Sequence, residues 1–399
     1  MRILQICHKP PRPSLDGGCR AMDAMTRGLL NAGHSVKVLT ACTEKHPWLP
    51  ELIDADWIDK TKAEAVFIDT RLNKVDAFSS LITGDSYNIS RFHSSDIEHR
   101  LTQILRTNVF DLILFESLFT SPYLKTVRRY SDGLAILRAH NVEHRIWQHL
   151  ADETHQFTRK KYLNWLAEKL EQYEVSVLSD FDGIVAISAE DLEDFRELGC
   201  ELPIQLVPFG LDDAEWPLDT SGPANHVFHL GAMDWRPNQQ GVRWFINRVW
   251  PLVRQRIPHA TLRLAGRHFP STWSVPENMG IQVLGEIENA WDMMTDSGVM
   301  IIPLLSGSGM RIKAIEALAA GRAIVSTPIG VEGIPAEDGT HFMVASTPEK
   351  FASNLVSLLE NPELASEIGS NGRKWAKTHY ENDQLIASMV SNFHEVYQL

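Results

Sequence analysis

Long apolar runs are missing from this sequence. No stretch approaches the roughly 18 uninterrupted apolar residues of a membrane-spanning helix, and Met1-Arg2-Ile3-Leu4-Gln5-Ile6 lacks the cationic start and long apolar middle of a signal peptide. A cytoplasmic protein is expected. Cysteine is scarce too: Cys7, Cys19, Cys42 and Cys200 are scattered without a CxxC pair, which argues against a zinc ribbon or a disulfide framework and for reduced thiols. Basic residues are outnumbered, with Lys+Arg 38 against Asp+Glu 51 and a formal net charge of −13, so no nucleic-acid partner is expected. Low-complexity segments and repeats of solenoid period are absent as well. What remains is a chain of 399 residues, 44% hydrophobic and 22% charged, longer than one hydrophobic core usually serves, so two domains are expected.

Short β-branched or apolar runs alternate with longer helical patterns, the grammar of a parallel α/β protein. The first series predicts a strand over Met1 to Cys7, a helix from Cys19 to Asn31 closed by Gly33, and a strand over Ser35 to Thr40. Further strands are expected at 65–69, 111–116, 133–138, 182–187 and 204–207, with a helix over 157–179. From Phe209 to about 225 Pro, Gly, Asp and Ser concentrate and the periodicity lapses, which reads as a linker. The pattern then restarts: strand 227–231, helix 241–256, strands 261–265, 281–284 and 299–303, helix 309–320, strand 323–326. Two Rossmann-like, doubly wound domains are thus expected, 1–208 and 226–380, with ligands in a cleft at the carboxyl ends of their strands.

The segment Pro303 to Gly321 reads strand, glycine loop, helix, glycine cap. Gly307 and Gly309 admit a ligand close to backbone, and the free N–H groups of the following helix point at an anion. Arg311 and Lys313 in a first helical turn oppose the helix dipole and want a negative partner such as phosphate. Seven residues from Gly309 to Glu316 make about two turns, placing Glu316 on the same face for ribose hydroxyls. The competing reading is a tight turn followed by a solvated helix face with i,i+3 pairs; the first-turn cations favour the ligand.

Two smaller constellations stand in the first half. Gly17-Gly18 ends the loop after the first strand and opens a helix carrying Arg20, which suits close approach of a donor or acceptor, or merely starts a helix. Arg138-Ala139-His140-Asn141-Val142-Glu143-His144 follows an apolar strand, where active sites of parallel sheets are built. It also spells H-x-x-E-H, an inverted zinc-protease motif. That chemistry wants both histidines on one helix face and a third ligand, so the expectation is no metal and an imidazole that hydrogen-bonds substrate.

Taken in order, Gly17-Gly18, Arg138 to Glu143, Val185-Ala186-Ile187-Ser188, Val207 to Asp212, His229-Leu230-Gly231-Ala232-Met233-Asp234-Trp235-Arg236-Pro237-Asn238, Gly307 to Gly321 and Thr327 to Gly333 resemble the retaining glycosyltransferases of family 4 over nearly the whole chain. The resemblance implies the GT-B fold. It also implies transfer of a sugar from a nucleotide diphosphate donor, a UDP- or GDP-sugar, to a glycan, polysaccharide or lipid-linked acceptor, with retention and without metal or other cofactor. By position, Glu316 is similar to the ribose ligand, Gly309 and Met310 to amides near sugar and phosphates, and His140 to the family histidine at the donor sugar. Val331 and Glu332 fall in the loop after the diphosphate site. Gly17, Gly18, Gly231, Trp235, Arg236 and Ser308 complete the expected donor contacts, and Arg20 and Glu143 are expected at the acceptor. The final helix, 381–399, is expected to pack back on the first domain.

Three departures bear on the donor site. Ser308 stands where the family's first Glu is common, Ala232 where an Arg is usual, and Asn238 where a Lys usually follows. Arg311 and Lys313, with Arg236, are expected to replace the missing phosphate cations. Thr158-Arg159-Lys160-Lys161-Tyr162 opens a helix that is a candidate for contact with an anionic membrane face, or a plain solvated surface. A nucleotide-sugar epimerase of the same fold is the nearest alternative. A dinucleotide oxidoreductase is another, but Ile312 occupies the place of its third glycine.

Overall fold

The computed structural model describes the chain except for residues 72–86, 155, 217–225, 271–272, 274–276, 297, 308 and 399. The described chain divides into two compact units, Met1–Gly210 with Asn382–Leu399, and Leu211–Glu381.

The first unit is built on seven parallel strands: β1 (Arg2–Cys7), β2 (Ser35–Cys42), β3 (Glu64–Phe67), β4 (Leu112–Glu116), β5 (Leu134–Ala139), β6 (Gly183–Ala186) and β7 (Ile204–Leu206), in the order β3-β2-β1-β4-β5-β6-β7. Both faces are covered, which is why the strands read as continuous apolar runs rather than alternations. Leu4, Ile6, Ile113, Phe115 and Leu137 pack into one buried cluster, and Ile3, Val38, Leu112, Leu114 and Ile136 into another. Ile386, Met389 and Phe393 of the last helix, Asn382–Tyr397, join the second cluster. That helix is pinned at both ends, by Asn382 donating to the Ala24 carbonyl at 2.7 Å and Tyr397 to the Asp182 carbonyl at 2.9 Å.

The second unit carries six parallel strands: β8 (His226–Leu230), β9 (Thr261–Ala265), β10 (Ile281–Gly285), β11 (Val299–Ile302), β12 (Ala323–Ser326) and β13 (Met343–Val344), ordered β10-β9-β8-β11-β12-β13. In each sheet the order reverses once, between β1 and β4 and between β8 and β11. Such reversals leave a crevice at the strands' carboxyl ends, where ligands of open α/β sheets bind. Two helices depart from expectation. The run read as one helix over 241–256 starts at Arg236, passes through a π turn at Phe245–Val249 and continues as Trp250–Arg256, because Pro251 has no N–H for the regular bond. The helix expected from 309 begins only at Ile312. Gly309 sits at φ +84 and Gly307 at φ +120, left-handed backbone that cannot continue a right-handed helix. No helix among the described residues is long and apolar enough to cross a membrane.

Candidate active site

In the second unit the glycine loop and the helix Ile312–Ala319 follow β11, and Trp235 lies in the turn after β8, all at the carboxyl ends of the two strands where the order reverses. Trp235 caps the helix Arg236–Trp244 and is 37% exposed, and a side chain at Gly307 would come within 2.9 Å of its ring. Loop and indole therefore touch, and only glycine fits between.

Arg311 does not take the place expected for it. It is the cap of the helix rather than part of its first turn, and its side chain is 2% exposed. Its guanidinium donates to the carbonyls of Gly307 (2.9 Å), Gly309 (2.8 Å) and Ile329 (2.9 Å) and to Glu332 at 3.1 Å. It is thus the tie that shapes the glycine loop, because a planar fork satisfies several carbonyls at once. Because the helix begins at Ile312, Gly309 and Glu316 do not share a helix face; Glu316 lies in the helix itself and is buried.

Lys313 behaves differently. Its Nζ donates to Asn238 Oδ1 at 2.6 Å and lies 5.9 Å from the Trp235 ring, while Asn238 Nδ2 donates to the Ala232 carbonyl at 2.8 Å. The ammonium thus stands at the two positions, 232 and 238, whose side chains carry no charge. Among the described residues it forms no salt bridge. Burial, then the neighbouring Arg311, lower its pKa from 10.5 to about 7. His229, fully buried on β8, donates from Nδ1 to the Ile301 carbonyl at 3.0 Å, and burial followed by Lys313 lowers its pKa to about 3, so it stays neutral. Gly231 follows β8, and added bulk there would meet Asn238 and His229. Gly309, Arg236 and Glu332 are exposed, Met310 is half-buried and Val331 buried. Ser308 lies outside the described residues.

In the first unit Glu116, at the end of β4, is the centre. Completely buried, it accepts from Gln5 Nε2 (2.8 Å), Arg138 Nη1 (2.9 Å) and His140 Nε2 (2.6 Å). Burial alone would raise its pKa, but Arg138 and His140 outweigh it and hold the carboxyl at about 2. The carboxylate is ionised, so His140 presents Nε2–H to it and keeps an unprotonated Nδ1. Burial lowers the pKa of His140, and the imidazole is neutral. Glu116 was not singled out in the sequence because it reads as the last letter of an apolar strand; the carboxyl-end rule applied to β4 as to β5 would have found it.

Gly17 and Gly18 open the helix Gly17–Asn31, whose cap Asp16 accepts from the Cys19 amide at 2.9 Å. Lys9 Nζ binds both Asp16 oxygens, at 2.8 and 2.7 Å, and a side chain at Gly18 would come within 2.7 Å of that ammonium. Asp16, Cys19 and His46 approach one another closely, but the Asp16 carboxylate is already paired with Lys9 through both oxygens. Arg20 is half-buried on the same helix. Glu143, expected at the acceptor, is instead 5% exposed, and burial followed by Glu174 raises its pKa to about 8. It starts a helix whose first amides donate to Glu174, and His144 Nδ1 also donates to Glu174 at 2.8 Å. The two histidines of H-x-x-E-H therefore serve different carboxylates, one before the helix and one in it. The basic run Arg159-Lys160-Lys161 opens the helix Phe157–Leu178; Lys160 pairs with Asp152 at 3.1 Å and Lys161 lies over Phe157.

Residues 224–361 match the family model described as glycosyl transferases group 1. Over 305 residues the chain is 24% identical to an uncharacterized 44.6 kDa protein in the cps region of Klebsiella pneumoniae, covering 73% of this chain and 76% of that one. Sucrose-phosphate synthase from Thermosynechococcus elongatus shares the fold over 100% of both chains, with a TM-score of 0.70 and 13% identity. Anabaena HepE, in complex with UDP, does so over 98% of this chain and 100% of that one, with a TM-score of 0.65 and 13% identity. The chain thus has the GT-B fold and is a transferase whose second unit carries a group 1 glycosyltransferase domain.

Proposed function

We propose that this chain is a retaining, metal-independent glycosyltransferase of family 4 that moves a sugar from a nucleoside diphosphate to a glycan or lipid-linked glycan of a cell-surface polysaccharide. The observation that carries the reading is the Lys313 ammonium bonded to Asn238 beside the glycine loop, in no salt bridge among the described residues and favoured in its charged form by the buried Glu316. As the glycosidic bond breaks, negative charge grows on the leaving diphosphate. A preorganised ammonium and the loop amides ahead of Ile312 stabilise that charge where it develops. Arg311 shapes the loop, Glu316 and the Trp235 face serve the nucleoside and sugar, and His140 takes a sugar hydroxyl. UDP is the first nucleotide to try, since HepE of the same fold holds it. The cps-region relative supports a surface polysaccharide. Exposed Phe157 and Tyr162 beside Arg159 support an acceptor at the inner membrane face.

The test is a thermal-shift comparison of UDP, GDP and ADP on the wild type and on Lys313→Met. One diphosphate at a hundredfold excess over its Kd stabilises the wild type by about 2.7 kcal/mol and the variant much less. No stabilisation by any of the three overturns the reading.

A pH signature follows from the same lysine. Binding a diphosphate favours the charged ammonium, so a Lys313 with a pKa of about 7 takes up a proton on binding above that pH. Affinity for UDP therefore falls as pH rises from 7 to 9, by up to about tenfold per unit. In stability the sign is opposite. The folded chain binds fewer protons than the unfolded between about 7 and 10.5, so this group's contribution to stability rises with pH over that window. Calorimetry in buffers of different ionisation enthalpy reads the proton uptake directly; none at pH 8 refutes the assignment.

A further inference from the structure

A second imidazole stands beside His140 in the first unit. His8 follows β1, its ring centroid 5.7 Å from that of His140 at a T-shaped angle of 79°. Its Nδ1 is 3.0 Å from the main-chain oxygen of Glu116. A carbonyl only accepts, so Nδ1 carries the proton and Nε2 carries a lone pair. Burial, then Lys9 and His140, depress the pKa of His8, and the ring is neutral. One residue thus sets both tautomers: Glu116 takes Nε2–H of His140 with its side chain and Nδ1–H of His8 with its backbone. Among the described residues neither remaining ring nitrogen has a hydrogen-bond partner.

The wall beside His8 is aromatic. Phe92 and Phe119 stack with centroids 4.6 Å apart and planes 26° from parallel, and the His8 ring lies 5.8 Å from Phe119 and 6.4 Å from Phe92. All three rings are half-buried, so part of each faces outward.

The chemistry of the occupant follows by elimination. Unprotonated nitrogens repel a phosphate or carboxylate, which has only lone pairs to offer. At His8 a metal or ammonium ion would meet the field of Lys9, which lowers the pKa of that imidazole by more than Asp16 raises it. A neutral hydrogen-bond donor attached to an apolar surface suits both features: its O–H or N–H reaches a lone pair while its C–H groups lie on the rings. A pyranose is such a molecule. His140 is already assigned to a reacting sugar, and it is His8 with the phenylalanine pair that has no assigned ligand.

We propose that His8, Phe92 and Phe119 form a binding subsite for a neutral sugar ring of the acceptor, with His8 Nε2 accepting a ring hydroxyl. The proposal deepens the transferase reading and rests on it. Specificity comes from the fixed tautomer, because a hydroxyl that cannot reach the lone pair leaves it buried and unpaired. No titration is involved; the lone pair is present throughout the neutral range.

The experiment is long-range proton–nitrogen NMR of the full chain labelled at histidine nitrogen, with His8 assigned by loss of its signals in His8→Gln. The free protein is expected to show His8 protonated at Nδ1 and bare at Nε2. Methyl glycosides of glucose, galactose, mannose, rhamnose and N-acetylglucosamine are then titrated singly. At least one is expected to move the bare Nε2 resonance upfield, and Phe119→Ala to weaken that glycoside by about fivefold to tenfold. A His8 protonated at Nε2, or a bare Nε2 that no glycoside of the five moves, overturns the subsite. UDP is titrated into the same sample. Binding of UDP with no response to any glycoside removes the subsite and leaves the transferase reading standing. A glycoside response without binding of any nucleoside diphosphate keeps a sugar site and removes the transferase.

Discussion

Lys313→Met lowers turnover of the sugar nucleotide by about a hundredfold or more, with the fold intact. Methionine keeps a straight apolar stem and deletes the charge, so the change reads electrostatics more than packing. Removing one preorganised donor from a developing oxyanion costs on the order of a hundredfold to a thousandfold in turnover. The cost is felt in full here because Ala232 and Asn238 provide no second cation. Arg311→Ala is the instructive contrast. Its guanidinium bonds two glycine-loop carbonyls, the carbonyl of Ile329 and Glu332, so its loss releases the loop and lowers the melting temperature along with activity. Steady-state turnover with circular dichroism on both variants separates the two effects. Full turnover in Lys313→Met sinks the assignment of that ammonium to the leaving group.

Glu116→Leu is expected to destabilise the chain more than any change in the second unit's loop, by about 3–5 kcal/mol, because it strands Arg138 without its carboxylate in the core. Arg138 is 1% exposed and its Nε has no partner, so the guanidinium has no solvent to turn to. Adding Arg138→Met removes the stranded charge and recovers most of the stability, as uncharged replacements of buried pairs do. Activity does not return with it, since His140 has lost the acceptor that fixes its tautomer. Denaturant melts of the two single variants and the double close the cycle. A double variant no more stable than Glu116→Leu alone shows that the pair is not what holds this end of the sheet. Acid should expose the same group: the carboxylate, held at about 2, contributes stability above about 4.5 that is lost as pH falls through 2.

The parallel sheets were legible because buried parallel strands advertise themselves as unbroken apolar runs, and β9 and β12 fall on the residues read for them. The site was legible only in part. Glycine loops show in a sequence, and so does a polar cluster after a strand, as at His140. The direction of a guanidinium does not: Arg311 and Lys313 are two residues apart, yet one turns back onto carbonyls and the other reaches a residue 75 positions earlier. That choice is made where Gly309 enters the left-handed region and delays the helix to Ile312, a backbone event that composition does not encode. Glu143 and Glu174 illustrate the same limit. Nothing local distinguishes a glutamate on a ligand from one sealed between helices.

The last helix of the chain belongs to the first sheet, and this sets an order of events during synthesis. Asn382–Tyr397 supplies Ile386, Met389 and Phe393 to the face formed by Ile3, Leu112 and Leu114. The 171 residues of Leu211–Glu381 must leave the ribosome before that cover exists, a wait of roughly ten to thirty seconds at common elongation rates. The unit begun first is therefore finished last, and a nascent chain halted before Asn382 carries a complete second unit beside an open, apolar sheet face that chaperones and proteases can recognise.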